Sequence, residues 1–295
     1  MIPCGSIFSE NSTQMNKPTG TSDAVWLAQL WEKLNEAYQF VADSFPWQTL
    51  KGVTTLDDDT YIVPADSRLI TKVIDGNKQQ YNFVAGANRP SPFNYNFYFD
   101  NPVSTPLAEG TTAVVSEYAT TLTSTAEFPA TTAADEYIRI ADNVGIYKIS
   151  TWTSTSLMTL ADHFRGSAQS AAIFQIRPRG TQVLAFSDAA GDDITPSDVE
   201  LTYVRTPLPL YKKSDLIELP GSCPAVSVKM LQTILALSGF NQAADRKQAE
   251  FLSAMSVMKA NEPATESHQP TTLFQYRKRD AHGRGYVRNL SEANW

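Results

Sequence analysis

The sequence predicts an α+β protein: a helical bundle formed by N-terminal and C-terminal helices, with antiparallel β domains inserted between them, one a small barrel or sandwich. Three observations predict it. Apolar residues recur at three- and four-residue steps near both ends of the chain, and in the middle the period drops to two. The central strands are short and joined by Asp, Asn, Gly and Pro turns rather than by helices, which argues against parallel βαβ units.

Residues 1–22 are polar and small and read as a flexible leader. From Asp23, a residue type that caps helices, Trp26, Leu27, Leu30, Trp31, Leu34, Ala37, Tyr38, Val41, Ala42 and Phe45 form one apolar face. Pro46 stops the helix, because the residue before a proline is driven out of the α region. Such a helix spans roughly 35 Å and needs a surface to lie on. Alternation of β-branched and aromatic residues then marks strands at 50–56, 61–63, 69–74 and 80–83, with turns at 57–59 and 75–77. The run Phe93, Tyr95, Phe97, Tyr98 and Phe99 reads as a strand with one buried face; stacking of sugars or bases is the rarer use of such a run.

A second β block places strands near 113–118, 137–141, 145–151, 156–160, 172–177, 182–187 and 199–206, and residues 120–134, rich in Thr and Ala, read as a long surface loop. Helical spacing returns at 225–237, stopped by Gly239, and at 243–260. The division that follows is 23–47 with 207–260 as the helical bundle, 48–110 as a β region, 111–206 as the small barrel or sandwich, and 261–295 as an extended C-terminal arm.

Hydrophobic residues make up 42% of the chain and charged residues 19%, the balance of a folded globular protein. No apolar run reaches the roughly 18 residues of a membrane span. The opening residues lack a basic region followed by an apolar stretch, so synthesis in the cytoplasm is expected. Cys4 and Cys223 stand far apart with no histidine cluster beside either, which predicts free thiols rather than a zinc site or a disulfide framework. A net charge of −7 argues against a surface that grips nucleic acid.

No catalytic constellation emerges, and neither enzyme activity, a metal nor a cofactor is expected. Asp162 and His163 are neighbours, and neighbours in a strand point to opposite faces, so they form no dyad. His268 and His282 have no partners at metal-ligand spacing. The acidic turns at 57–59 and 188–193 lack the ordered spacing of a calcium loop. Gly283, Arg284 and Gly285 neither follow a strand nor open a helix and are not a phosphate loop.

The order of these elements resembles the head-to-tail adaptor, or connector, proteins of tailed bacteriophages. The resemblance is carried by Asn35, Glu36, Ala37 and Tyr38 before the stop at Phe45, Pro46 and Trp47, by the strand pair across 60–69, by 136–141 with 145–149, and by 201–210 with 214–220. It covers residues 23–260 in scattered blocks, and the β content is higher than in the mostly helical adaptors. The resemblance implies a structural virion protein, made in the host cytoplasm. Copies of the chain, commonly twelve, would form a homo-oligomeric ring under the portal protein, handing the DNA channel to tail proteins of the nozzle or tube. Double-stranded DNA would pass without specific binding, which suits an acidic chain, because many Lys and Arg contacts would hold the duplex in place.

Residues 276–288 are the one basic concentration, five Lys or Arg against one Asp. They read as an arm that docks by charge and by aromatic anchors on an acidic partner. The family likeness points that arm, Phe274, Tyr276, Arg277, Lys278, Arg279, Arg284, Tyr286, Arg288 and Trp295, at the portal. On the first helix, Trp26, Trp31 and Tyr38 are the residues expected to meet a neighbouring copy. The alternatives are a tail-tube component or, in a different class, a carbohydrate-binding or hydrolysing module at the host surface.

Overall fold

The structure, a computed structural model, describes residues 3–7, 24–58, 60–84, 94–130, 136–141, 143, 145–178, 180–221, 223–262, 277–279 and 285–287. For 24–27, 277–279 and 285–287 that description covers the backbone. Where the apolar period is helical, three helices form: α1 (Ala24–Asp43), α2 (Pro224–Leu237) and α3 (Asn241–Ala260). The Asp23 cap and the 1–22 leader, apart from residues 3–7, lie outside the described residues.

α1 buries Leu30, Leu34, Ala37, Tyr38, Val41 and Ala42, the stripe expected from its spacing. Beyond its end the chain folds back. The Trp47 indole N–H donates to the Val41 carbonyl at 2.9 Å, which satisfies one of the carbonyls a helix terminus leaves open, while the Trp47 ring lies 4.8 Å from that of Phe45. α2 opens on Pro224, whose missing N–H costs nothing at a first helical position, and stops at Gly239, where φ is +81°.

The strands are β1 (Lys51–Thr55), β2 (Ser67–Ile74), β3 (Asn82–Phe83), β4 (Asn96–Phe99), β5 (Ala108–Val115), β6 (Thr121–Thr123), β7 (Tyr137–Ile140), β8 (Ile146–Ser154), β9 (Leu157–Leu160), β10 (Gln169–Ile176), β11 (Leu184–Ser187), β12 (Asp193–Ile194), β13 (Glu200–Arg205), β14 (Arg277–Arg279) and β15 (Gly285–Val287). They build a three-stranded sheet in the order β1-β13-β2, a closed barrel β10-β5-β6-β9-β8-β7, a four-stranded sheet β12-β11-β4-β3 and the hairpin β14-β15.

The expected helical bundle with inserted β domains is therefore incorrect. Among the described residues strand outweighs helix, 33% against 26%, with a six-stranded barrel and three helices. The physical reason lies in what the helices bury. Their shared core takes in Val204, Leu210, Ile217 and Leu219 as well as residues from all three helices, so the helices form a layer over extended chain rather than a bundle closed on itself. Two further readings change with it. The stretch 120–134, expected as a loop, supplies barrel strand β6. The second β block is not one unit, since β11 and β12 join β4 and β3, and β13 becomes the middle strand between β1 and β2.

Three cores result. One lies under the helices, one fills the barrel with Ile138, Tyr147, Met158, Phe174 and neighbours, and an aromatic one joins Tyr61, Tyr81, Phe97 and Phe186 between the two open sheets. An extended run links the first two. Leu208 belongs to the barrel core and Leu210 to the helical core, so this irregular segment carries the chain from one core to the other.

Candidate functional site

Polar side chains clamp the barrel to the rest of the chain. Asp215, 2% exposed, accepts hydrogen bonds from the backbone N–H of Tyr211 at 2.6 Å and of Lys212 at 2.8 Å, and from the Tyr118 hydroxyl at the barrel rim. Lys212 lies 4.5 Å above the Tyr118 ring and pairs with Glu117 at 3.2 Å. Glu218 takes Arg205 at 2.7 Å from the sheet and Arg165 at 3.7 Å from the barrel. Residues 3–7 complete the seam: the Cys4 N–H donates to Asp215 O at 2.8 Å and the Gly5 N–H to Lys213 O at 2.9 Å. Both thiols are buried, and that burial pushes Cys4 up to about 12 and Cys223 up to about 11. Such thiols are inert as nucleophiles.

His163 is a member of this seam. Its ring stacks on Tyr118, centroids 4.9 Å apart at 20°, and it sits in a loop rather than in the strand expected for it. The acidic turn after β11 spends its carboxylate on backbone: Asp188 Oδ1 accepts the N–H of Ala190 at 2.8 Å and of Asp192 at 3.0 Å. Among the described residues no group of three or more His, Cys, Asp or Glu is placed to hold a metal. His268 and His282 lie outside the described residues, as does Phe93. Of the aromatic run, Phe97 is core, and Tyr98 donates from its hydroxyl to Asp193 at 3.1 Å.

The outward face of the helical layer has a different character. Ala249, Leu252, Ser253, Ser256, Val257 and Ala260 are exposed on α3 opposite the buried Ala244, Phe251, Met255 and Met258. Leu252 is 59% and Val257 54% exposed, and at the corner between α2 and α3 Leu237 reaches 69% and Phe240 62%. On the neighbouring edge, Lys229 sits 4.4 Å above the ring of Phe40, and Phe40 lies 5.8 Å from Phe251. Sequence reasoning missed this face. Its signal was the small-residue stripe in the second half of α3, at the spacing of one helical side.

The first-helix residues expected to meet a neighbour divide. Tyr38 is a correction: it is fully buried, its hydroxyl accepts the Glu218 N–H at 3.1 Å, and burial pushes its phenol well above the usual range. A side chain sealed in the core reaches no neighbouring copy. Trp31 is half-buried against the helical core, and the Trp26 side chain lies outside the described residues. Of the basic arm, Arg277, Lys278 and Arg279 form β14 and Tyr286 is in β15; Phe274, Tyr276, Arg284, Arg288 and Trp295 lie outside the described residues.

A groove runs beside β1, lined by Val53, Thr54, Thr55, Ile62, Tyr137 and Arg177 among others. Tyr203 and Tyr137, hydroxyls 3.3 Å apart, form part of its wall, and Gly52 is glycine because a Cβ would meet the Tyr203 ring at 2.7 Å. Across the groove Glu136 pairs with Arg177 at 2.8 Å. Behind these residues Asp66 takes a hydrogen bond from Tyr137, and burial holds its carboxyl above the usual carboxylate range.

No family model matches the chain, and no curated protein matches it. Among the described residues no helix is long and apolar enough to cross a membrane. The site is thus a set of surfaces: an apolar helical face, an open strand edge and a basic hairpin.

Proposed function

We propose that the chain is a structural virion protein, an adaptor that assembles as a ring between portal and tail and continues the DNA channel. The observation that carries the proposal is the exposed helical face of Leu252, Val257, Leu237 and Phe240. Large apolar side chains exposed on one layer are costly in water and gain when another surface covers them. A second copy is the occupant the resemblance implies, and a face that meets a different face on the next copy closes a ring when the rotation allows. The net charge of −7 fits a channel wall that does not hold a duplex by counterion release. The segment from Phe274 to Trp295 is the part offered to the portal, with tail proteins on the opposite side of the ring.

The test is electron microscopy of the purified chain with portal present, and of virions. Closed rings whose channel admits duplex DNA are expected. A chain that stays monomeric beside portal and is missing from virions overturns the proposal.

A further inference from the structure

The barrel is inserted into the rest of the chain by two crossings that run side by side. The Val103 N–H donates to Thr181 O at 2.8 Å and the Leu107 N–H to Ile176 O at 3.1 Å, while Pro102, Pro106 and Pro178 withhold donors from them. Where the barrel sits therefore depends on side chains that reach across. Charged groups figure largely among these: Arg165 with Glu218 and, at 3.3 Å, with Pro209 O, Lys212 with Glu117, and Asp215 with the Tyr118 hydroxyl. Residues 3–7 cover this clamp. Cys4 to Ile7 make a single helical turn, too short to keep its shape alone. It is held by what it sits on: Pro3 is bridged to Leu216, the Cys4 thiol donates to Lys212 O at 3.0 Å, and Ile7 is buried in the core under the helices. Gly5 passes so close that a Cβ there would meet Lys213 Cβ and O at 2.9 Å. The fully buried Cys4 thiol lies within the fields of Asp215 and Arg165, so the strap stands between those charges and water.

We propose that residues 3–7 are a strap that opens on its own, and that its seating locks the barrel to the helical layer. The physical reason is the dependence of ion pairs on water. With the strap seated, Asp215 and Arg165 act in a medium of low dielectric; with it gone water reaches them, and pairs in water contribute little. The turn at 211–216 also loses the backbone bonds from Cys4 and Gly5. Leu208 and the contact of Tyr137 with Tyr203 then remain, and the barrel takes a wider range of positions about its two crossings. A short strap whose one large apolar anchor is Ile7 can leave without unfolding the core beneath it. The inference does not depend on ring assembly.

Two measurements on full-length chains test it. The first alkylates the unaltered protein with iodoacetamide in native buffer and maps the modified peptides, because a buried thiol reacts only while its cover is open. Cys4 is expected to react about tenfold faster than Cys223 or more, and mild denaturant should change its rate little, since the opening exposes little surface. Equal rates that rise together with denaturant mean that the strap leaves only when the core unfolds, and they overturn the proposal. The second places spin labels at Gln29→Cys in α1 and Thr153→Cys in the barrel, both exposed positions, with labelled chains diluted into unlabelled ones. Both samples carry Cys4→Ser, and Ile7→Asp in one of them unseats the strap by putting a charge in the core. The distance distribution is expected to be narrow with Ile7 and about twice as broad or more with the aspartate. Equal widths reject the lock. A variant that no longer folds makes residues 3–7 part of the core and rejects the proposal as well.

Discussion

Asp66 shows how a single residue can be stabilising in one protonation state and costly in the other. It stands in the turn before β2, takes a hydrogen bond from Tyr137 of the barrel, and is held above the usual carboxylate range chiefly by burial. The folded chain therefore keeps this proton to higher pH than the unfolded chain does. Stability is greatest with the proton on and falls as pH rises from the usual value of 3.8 through the raised one. Asp66→Asn keeps an acceptor for Tyr137 without the charge. It is expected to flatten that fall, giving a higher melting temperature than the parent at pH 7 and little difference at pH 3.5; thermal melts across that range check it. Nothing local in the sequence marked Asp66, because its burial depends on β7 and β13, both distant in the chain. Tyr38 failed as a neighbour-facing residue for the same reason, since its partner, the Glu218 N–H, comes from far along the chain.

At the level of elements, periodicity located α1, α2 and α3 to within a few residues, because a helix is a local object and its apolar stripe shows directly. β6 was not legible: a three-residue strand of Thr, Leu and Thr within a Thr-rich run has too few positions to display a period. Nor was the exposed α3 face, since Ala and Ser fit a solvated surface as readily as a packed one. That face makes a sharp prediction. Leu252→Glu places a charge on an exposed position, so the melting temperature is expected to move by no more than about 0.5 kcal/mol equivalent, while ring formation is lost. Sizing by mass photometry with a parallel melt decides it. A ring that tolerates the charge would show that this side of α3 stays in solvent.

For the whole molecule, what sequence reasoning could not supply was the pairing of distant segments. It read the helices as closed on themselves, and the core shows them lying on Leu210, Ile217 and Leu219. The linking segment bearing Leu208 and Leu210 gives that arrangement an energetic test. Leu208 is 5% exposed in the barrel core, and Leu208→Ala is expected to cost about 2–5 kcal/mol. If barrel and helical layer unfold as one unit, denaturant melts followed by near-ultraviolet and far-ultraviolet dichroism stay superimposed in this variant. Separated transitions would mean that the leucine is the main coupling between the two cores.

The middle place of β13 has a consequence for the newborn chain. All six barrel strands fall within 108–176, so the barrel can close soon after that stretch leaves the ribosome. β1 and β2 must wait for 200–205, because the strand that separates them is made well over a hundred residues later, and long loop closures of this kind are slow. During synthesis β1 and β2 therefore stand with both edges open beside a finished barrel. Stalled or truncated chains ending before Glu200 should be the aggregating species, because the strand that joins β1 to β2 is still missing from them.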